Sequence, residues 1–146
     1  MKRIFLLLSF AATGIMILSA CAAPAERSAA PETSADTSQV LFTIIRADGS
    51  TYDVTLNAVK ALPLAQVQAE GKTEEGPYLK DVLALAGVTE FTEVSLSGSS
   101  NPVTLTFEQV DENTILDFNN HGTMKLSSTY IPKAEWTKDV AEIVVK

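Results

Sequence analysis

The chain of 146 residues has very few of the side chains that build disulfides and metal centres, since it contains one cysteine, Cys21, and one histidine, His121. This scarcity excludes disulfide scaffolds, zinc sites made of Cys and His, and iron–sulfur clusters. Positive charge is also scarce, because 11 Lys and Arg residues stand against 18 Asp and Glu residues and give a net charge of −7. Such a chain repels phosphate backbones, so nucleic acid is not an expected partner.

Signature motifs of nucleotide and calcium chemistry are absent as well. The seven glycines form neither the dinucleotide-binding fingerprint nor a P-loop. Acidic neighbours occur at Glu74-Glu75 and Asp111-Glu112. Neither pair has the EF-hand spacing, although a calcium role for Asp111, Glu112 and Asn113 stays open. We therefore name no catalytic residue and no metal ligand from the sequence.

The first 20 residues have the pattern of a secretory signal peptide. Lys2 and Arg3 supply a positive start, and the run 4–18 is apolar apart from Ser9, Thr13 and Gly14. At about 15 residues this run is shorter than the roughly 20 that a membrane-spanning helix needs. The sequence therefore predicts a signal peptide over residues 1–20.

The signal segment ends in Leu18-Ser19-Ala20-Cys21, which resembles a bacterial lipobox. The resemblance implies that cleavage leaves Cys21 as the first residue and that its thiol carries a diacylglycerol of palmitate-type chains. Two or three acyl chains suffice for stable anchoring in a bilayer. We expect a lipoprotein of the cell envelope, anchored on the extracytoplasmic side of a bacterial membrane. The alternative is an ordinary secretory signal in which the cysteine has no role.

Residues 22–39 read as a flexible linker between this anchor and a folded domain. Ala, Pro, Ser, Thr, Glu and Asp dominate the segment, and such a composition buries too little apolar surface to offset the entropy of ordering. The lipidated cysteine and the linker together span residues 21–39, and the domain is expected over residues 40–146, which is long enough for one core.

The domain pattern predicts an α+β fold that is rich in sheet and has one main helix. The helix is expected over 77–86, because Leu79, Val82, Leu83 and Ala86 have the spacing of a core-facing stripe and Gly87 suits the C-terminal cap. Residues 70–76 read as a polar loop. Strands are predicted at 40–46, 51–56, 64–69, 94–97, 103–107, 114–118, 124–127 and 140–145, with a short helical turn after Asn57.

Ligand-binding candidates are few. His121 and Asn120 lie in Asn119-Asn120-His121-Gly122, where an imidazole and an amide are able to contact a ligand. The same composition also suits a tight turn, because Asn and Gly tolerate positive φ. Exposed aromatic side chains often bind sugars or peptides, and the candidates Tyr78, Tyr130 and Trp136 either form such a platform or belong to the core.

Several segments resemble one known family. Residues 76–88, Gly-Pro-Tyr-Leu-Lys-Asp-Val-Leu-Ala-Leu-Ala-Gly-Val, resemble the Gly-x-x-Leu-x-Asp-Leu-Leu-x-x-Ala-Gly-Val helix of sulfite-oxidase-type molybdopterin-binding domains. Residues 121–126 resemble the family's His-Gly-x-Pro-Leu-Arg-Leu turn and strand, and 136–143 its closing Trp-x-Lys-x-Val-x-x-Ile strand. The strand pair around Asp48-Gly49, followed by Ala-Leu-Pro at 61–63, resembles the segment before its third strand. The resemblance covers most of residues 40–146 and implies that family's fold.

The chain departs from the family at its metal site. In the enzymes a Cys near the end of the third strand ligates molybdenum, whereas the matching residues 67–71 contain none. The family also grips the pterin phosphate with basic residues, and an acidic domain suits an anionic cofactor poorly. From the sequence we therefore expect a non-catalytic relative that takes no cofactor.

Two functions remain open at this stage. The first is a membrane-tethered binding or accessory module of the cell envelope, whose partner is an unidentified small ligand or an envelope protein. The second is an oxidoreductase or redox-accessory protein that binds molybdopterin without a Cys ligand. The sequence favours the first, because the thiol is missing and the surface is acidic.

Overall fold

The computed structural model describes residues 39–146, so the predicted signal peptide, Cys21 and residues 22–38 of the linker lie outside the described part of the chain. Two α-helices, α1 (Leu56–Lys60) and α2 (Leu79–Leu85), interrupt a series of strands. No helix within residues 39–146 is long and apolar enough to cross a bilayer. The strands are β1 (Val40–Ile45), β2 (Thr51–Thr55), β3 (Ala65–Ala69), β4 (Lys72–Gly76), β5 (Glu93–Ser97), β6 (Val103–Thr106), β7 (Thr114–Phe118), β8 (Met124–Ser128) and β9 (Glu142–Val145).

Five of the strands form one sheet in the order β2-β1-β9-β5-β6. The hairpin β1–β2 turns at Asp48-Gly49, where Gly49 has a φ of 82° that glycine adopts without strain. Strand β9 lies between β1 and β5, pairing in parallel with β1 and antiparallel with β5. The remaining strands form two separate hairpins, β3–β4 and β7–β8.

The main core lies between one face of the five-stranded sheet, helix α2 and hairpin β7–β8. Helix α2 contributes Leu79, Val82 and Leu83, and Ala86 follows directly, so the predicted stripe is confirmed. Gly87 ends this helix with a φ of 73°, and the amide of Val88 donates to the carbonyl of Leu83. The sheet contributes Phe42, Ile44, Val54, Val94, Leu96, Leu105, Ile143 and Val145, and hairpin β7–β8 contributes Leu116, Met124 and Leu126.

The prediction of a polar loop over residues 70–76 is wrong, because residues 72–76 form strand β4. The sequence Lys-Thr-Glu-Glu-Gly has no apolar alternation to indicate a strand. Its partner β3 supplies the register instead, with Ala69 opposite Lys72 and Ala65 opposite Gly76. Glu70 and Gly71 form the two-residue turn and have φ values of 47° and 76°, as this kind of tight hairpin turn requires.

Hairpin β3–β4 packs on the face of hairpin β7–β8 that points away from the main core. Val67, Ala69, Ile115 and Trp136 are buried outside the main apolar cluster and form a second, smaller interior there. The end of β4 runs beside β7, where the amide of Leu116 donates to the carbonyl of Pro77 over 3.0 Å. Hairpin β7–β8 therefore lies between the main core and hairpin β3–β4. Both candidate cavities described below border hairpin β7–β8 or the segment that follows it.

Candidate functional site

The two ligand-binding candidates from the sequence lie on the turn between β7 and β8. His121 and Asn120 are both exposed, and Gly122 has a φ of 76°. The side-chain oxygen of Asn119 accepts hydrogen bonds from the amides of His121 (2.9 Å) and Thr123 (3.1 Å). Residues 119–122 thus form the tight turn that their composition suggested. A ligand-binding role for His121 and Asn120 stays a prediction.

A cavity of about 210 Å³ adjoins this turn. Its lining includes Asp139, which has a φ of 47°. The Asp139 carboxylate accepts hydrogen bonds from Ser99, Thr123 and Asn119, and these three donors hold its pKa at about 2. The carboxylate therefore links the loop that contains Ser99 to the β7–β8 turn. The cavity is lined by Asn119, Asn120, His121, Lys125, Lys138 and Asp139.

Two lysines and two carboxylates form a compact network between the hairpins, which we call the lysine–carboxylate cluster. Lys125 Nζ lies 3.0 Å from Glu74 Oε2 and 3.0 Å from Asp117 Oδ2. Lys133 Nζ lies 2.9 Å from the other oxygen of Glu74. Both ammonium groups also lie over the ring of Trp136, 5.8 Å and 5.2 Å from its centroid. The cluster therefore balances two positive against two negative charges.

The two carboxyls of the cluster have pKa values shifted in opposite directions. Burial disfavours the ionised form of Glu74, but hydrogen bonds from Lys133 and Lys125 outweigh that cost and hold its pKa well below the usual range. Burial raises the pKa of Asp117, and the neighbouring Glu74 raises it further against the opposing hydrogen bond from Lys125. Glu74 is thus the firmly ionised member, and Asp117 is the member that takes up a proton more readily.

A larger cavity of about 390 Å³ lies at the tip of hairpin β3–β4. This volume falls within the range of about 300–1,000 Å³ that is usual for small-ligand sites. On one side are Gln68, Ala69 and Glu70 from the end of β3 and its turn, and on the other is the irregular segment that follows β8. Ser128, the last residue of β8, also lines this side, and the segment after it contributes Thr129, Tyr130, Ile131, Pro132, Lys133 and Trp136.

Residues 133–139 of that irregular segment, which we call the clamped segment, are held by hydrogen bonds of three residues with positive φ. The non-glycine residues with positive φ within residues 39–146 are Glu70, Asn101 and Asp139. Glu70 accepts from the amide of Lys133 over 3.0 Å, and Asn101 donates to the carbonyl of Ala134 over 2.8 Å. Asp139, the last residue of the segment, accepts hydrogen bonds from Ser99, Thr123 and Asn119. Such backbone strain costs about 1–3 kcal/mol per residue and clusters at functional sites.

The candidate aromatic residues divide between core and surface. Trp136 is only 2% exposed, and its indole nitrogen donates to the carbonyl of Ser128, so it belongs to the smaller interior while its edge lines the larger cavity. Tyr130 is 42% exposed and lines the same cavity. Tyr78 precedes α2, is half-buried, and does not line it. The structure therefore brings two of the three predicted aromatics to one site.

The calcium alternative finds no support in the described residues. The Asp111 carboxylate accepts from the amide and side chain of Asn113 and from the hydroxyl of Tyr130, so it is used within the fold. No group of three or more His, Cys, Asp or Glu side chains within residues 39–146 is arranged to hold a metal ion.

Comparison with known proteins gives a match at the level of fold. No family model matches the chain, and no curated protein matches it. Among solved structures it is similar to the sulfane dehydrogenase SoxCD from Paracoccus pantotrophus, with a TM-score of 0.54 and 19% identity over 71% of this chain. The domain has a sulfite-oxidase-like fold. The chain spans 37% of the length of the SoxCD chain that it matches, and the sequence-based expectation of the fold class is confirmed.

This likeness corrects the expectation that the domain takes no cofactor. The domain shares its fold with a dehydrogenase that is itself a molybdopterin enzyme, so the expectation is contradicted. A molybdenum ion held by a protein thiolate nevertheless does not fit the residues present. The end of β3 offers Gln68 and Glu70 at the larger cavity, and residues 39–146 contain no cysteine. Amide and carboxylate groups replace a soft thiolate poorly.

Proposed function

We propose that the protein is a lipid-anchored, extracytoplasmic binding or accessory module that takes its ligand in the larger cavity. The anchoring part of the proposal rests on Lys2, Arg3, the apolar run 4–18 and the lipobox-like Cys21. A flexible linker of about 18 residues has an r.m.s. reach on the order of 20–25 Å, which would let the domain sample the space beside the membrane.

The observation that carries the binding part is the way in which the larger cavity is built. Hydrogen bonds of Glu70 and Asn101 hold the clamped segment opposite the tip of hairpin β3–β4, and Glu70 also belongs to the cavity lining. A rigid cavity with mixed polar and aromatic lining is the usual form of a small-ligand site. The charged groups of the lysine–carboxylate cluster are paired with one another. This pairing suits a structural role beside the cavity better than a catalytic one.

Trp136 provides a direct test of the cavity, because it is the only tryptophan of the chain. We expect its fluorescence to change in a saturable way with at least one of three probes: N-acetyl-arginine amide, N-acetylglucosamine and thiosulfate. The variant Tyr130→Ala, which removes the exposed ring from the lining, should lose most of this response. Tyr52→Ala, which removes a tyrosine outside the cavity, should keep it. No change with any probe at millimolar concentration would show that the cavity is not a ligand site.

The anchoring part is tested by the variant Cys21→Ser. The parent chain, expressed with its signal segment in a bacterial host, should incorporate a palmitate analogue in metabolic labelling and fractionate with membranes. The Ser variant should carry no label, because the acyl chains need the thiol. Label on the variant, or its absence from the parent, would contradict the proposed lipid anchor.

The likeness to a sulfane dehydrogenase favours a second candidate function, a redox or redox-accessory domain that binds molybdopterin without a cysteine ligand. Elemental analysis of the full chain from a host that makes this cofactor separates the two. Stoichiometric molybdenum that survives gel filtration would favour the redox candidate. Ligand binding in the larger cavity by the metal-free protein would favour the binding module.

A further inference from the structure

The larger cavity has an unbalanced negative charge at Glu70. One oxygen of this carboxylate accepts from the amide of Lys133, and Glu70 makes no ion pair with any residue in the described range 39–146. That hydrogen bond holds the Glu70 side chain against the clamped segment. The second carboxylate oxygen therefore remains available to a ligand.

The lysine that lines the same cavity does not balance that charge. Lys133 Nζ lies 2.9 Å from Glu74 and over the ring of Trp136, so its charge is taken up by the lysine–carboxylate cluster. Gln68 adds an uncharged acceptor to the lining. Gln68 donates through its nitrogen to Thr73, which leaves its oxygen open on the exposed surface of the hairpin. The lining thus contains two free acceptor oxygens, one on Glu70 and one on Gln68.

An exposed aromatic ring lies in the same lining. Tyr130 donates its hydroxyl to Asp111 Oδ2 over 2.6 Å, and this hydrogen bond raises the pKa of the tyrosine. A phenol that donates to a carboxylate has a more electron-rich ring, and electron-rich rings attract cations. Asp111 also places a second negative charge beside the hydroxyl of Tyr130.

The charge of the whole domain favours the same class of ligand. Residues 40–146 carry eight Lys and Arg against 15 Asp and Glu residues. Such a field raises the local concentration of cations and lowers that of anions.

From these four observations we infer that the larger cavity takes a ligand with a cationic nitrogen, an ammonium or guanidinium group, which contacts the Glu70 carboxylate and the Tyr130 ring. Basic side chains of peptides and small organic amines share this chemistry. The inference rests on the proposed function, because it names the ligand class of the same cavity.

The test compares two probes of nearly equal shape with the full chain in detergent, and Trp136 fluorescence is the readout. N-acetyl-arginine amide carries the charge, and N-acetyl-citrulline amide replaces the guanidinium by a neutral ureido group. We expect the charged probe to bind at least about tenfold more tightly, as a charge-assisted contact implies, and its affinity to fall with added salt. N-acetyl-lysine amide distinguishes an ammonium preference from a guanidinium preference.

Glu70→Gln is the decisive variant, because glutamine keeps an oxygen to accept from the amide of Lys133 while it removes the charge. We expect it to weaken N-acetyl-arginine amide about tenfold and to leave N-acetyl-citrulline amide unchanged. Glu142→Gln makes the same charge change at an exposed residue of β9 and should alter the affinity of neither probe more than about twofold.

Each remaining outcome overturns a defined statement. Equal affinity for the two probes, or an unchanged affinity in Glu70→Gln, would overturn the cationic ligand class. A response only to N-acetylglucosamine or thiosulfate would do the same while leaving the cavity as the proposed ligand site. If no probe changes the fluorescence of Trp136, then both the proposed ligand site and this inference are overturned.

Discussion

Gly76→Ala is expected to cost the domain about 3 kcal/mol of unfolding free energy, at the upper end of what overpacking usually costs. A Cβ at this position would overlap the backbone carbonyl of Leu116, where β4 runs beside β7. Backbone atoms cannot rotate away as a flexible side chain would, so the two hairpins would have to separate. The urea midpoint of the variant, compared with that of the parent, measures the loss.

Gly71→Ala is the matched control for that substitution. Its φ of 76° disfavours alanine, but a Cβ there would meet no atom within 4 Å. We expect only the conformational cost, about 1–2 kcal/mol. If the two variants shift the midpoint equally, then the close approach of Gly76 to Leu116 is not what stabilises the packing of the hairpins.

Lys125→Met should destabilise the domain by removing the shared partner of two carboxylates. Glu74 and Asp117 both lie 3.0 Å from Lys125 Nζ. Breaking a fully buried pair costs about 3–5 kcal/mol, and because 24% of the Lys125 side chain is exposed we expect about 2–3 kcal/mol at pH 7. Lys138→Met removes an exposed lysine that makes no ion pair in residues 39–146 and should cost under about 0.5 kcal/mol.

The pH dependence of Lys125→Met gives an independent check on the cause. The pKa of Asp117 is already raised in the parent by burial and by Glu74, and loss of the lysine should raise it further. The folded state then binds this proton more tightly than the unfolded state, so acidification stabilises it. The deficit of the variant should shrink from pH 7 toward pH 5, and Asp117→Asn should restore part of the stability at pH 7. A deficit that does not change with pH would indicate lost packing instead.

The elements with a regular apolar pattern were predictable from the sequence. Leu79, Val82 and Leu83 repeat at helical spacing, and α2 forms where that spacing predicts it. Strand β4 shows why other elements could not be predicted from the sequence. Its residues are polar, and it becomes a strand because β3 and the Glu70-Gly71 turn set its register and because Gly76 fits against β7. These causes are tertiary, and no local pattern carries them.

The candidate site also contains residues that the sequence indicated and residues that it did not. His121, Asn120, Tyr130 and Trp136 stood out by residue type, and each lines one of the two cavities. The lysine–carboxylate cluster was not predicted, because its members lie on β4, β7, β8 and the clamped segment. The one sequence signal was the pair Asp117 and Lys125, charged residues that each lie between two apolar residues of a strand, and they are direct cross-strand neighbours in the structure. Glu70 lies in a turn, and its contact with the distant amide of Lys133 has no local sequence signal.

The central place of β9 has a consequence for the order in which the domain is assembled. Thr43 of β1 pairs with Glu142 of β9, which joins the first described strand to the last across nearly the whole domain. Until residues 142–145 are inserted, β1–β2 and β5–β6 are separate two-stranded hairpins, and such hairpins are marginal in water. Pairing over such long sequence separation slows folding. We therefore expect the sheet to close late, with the open edges of β1 and β5 exposed to other extended chains until then.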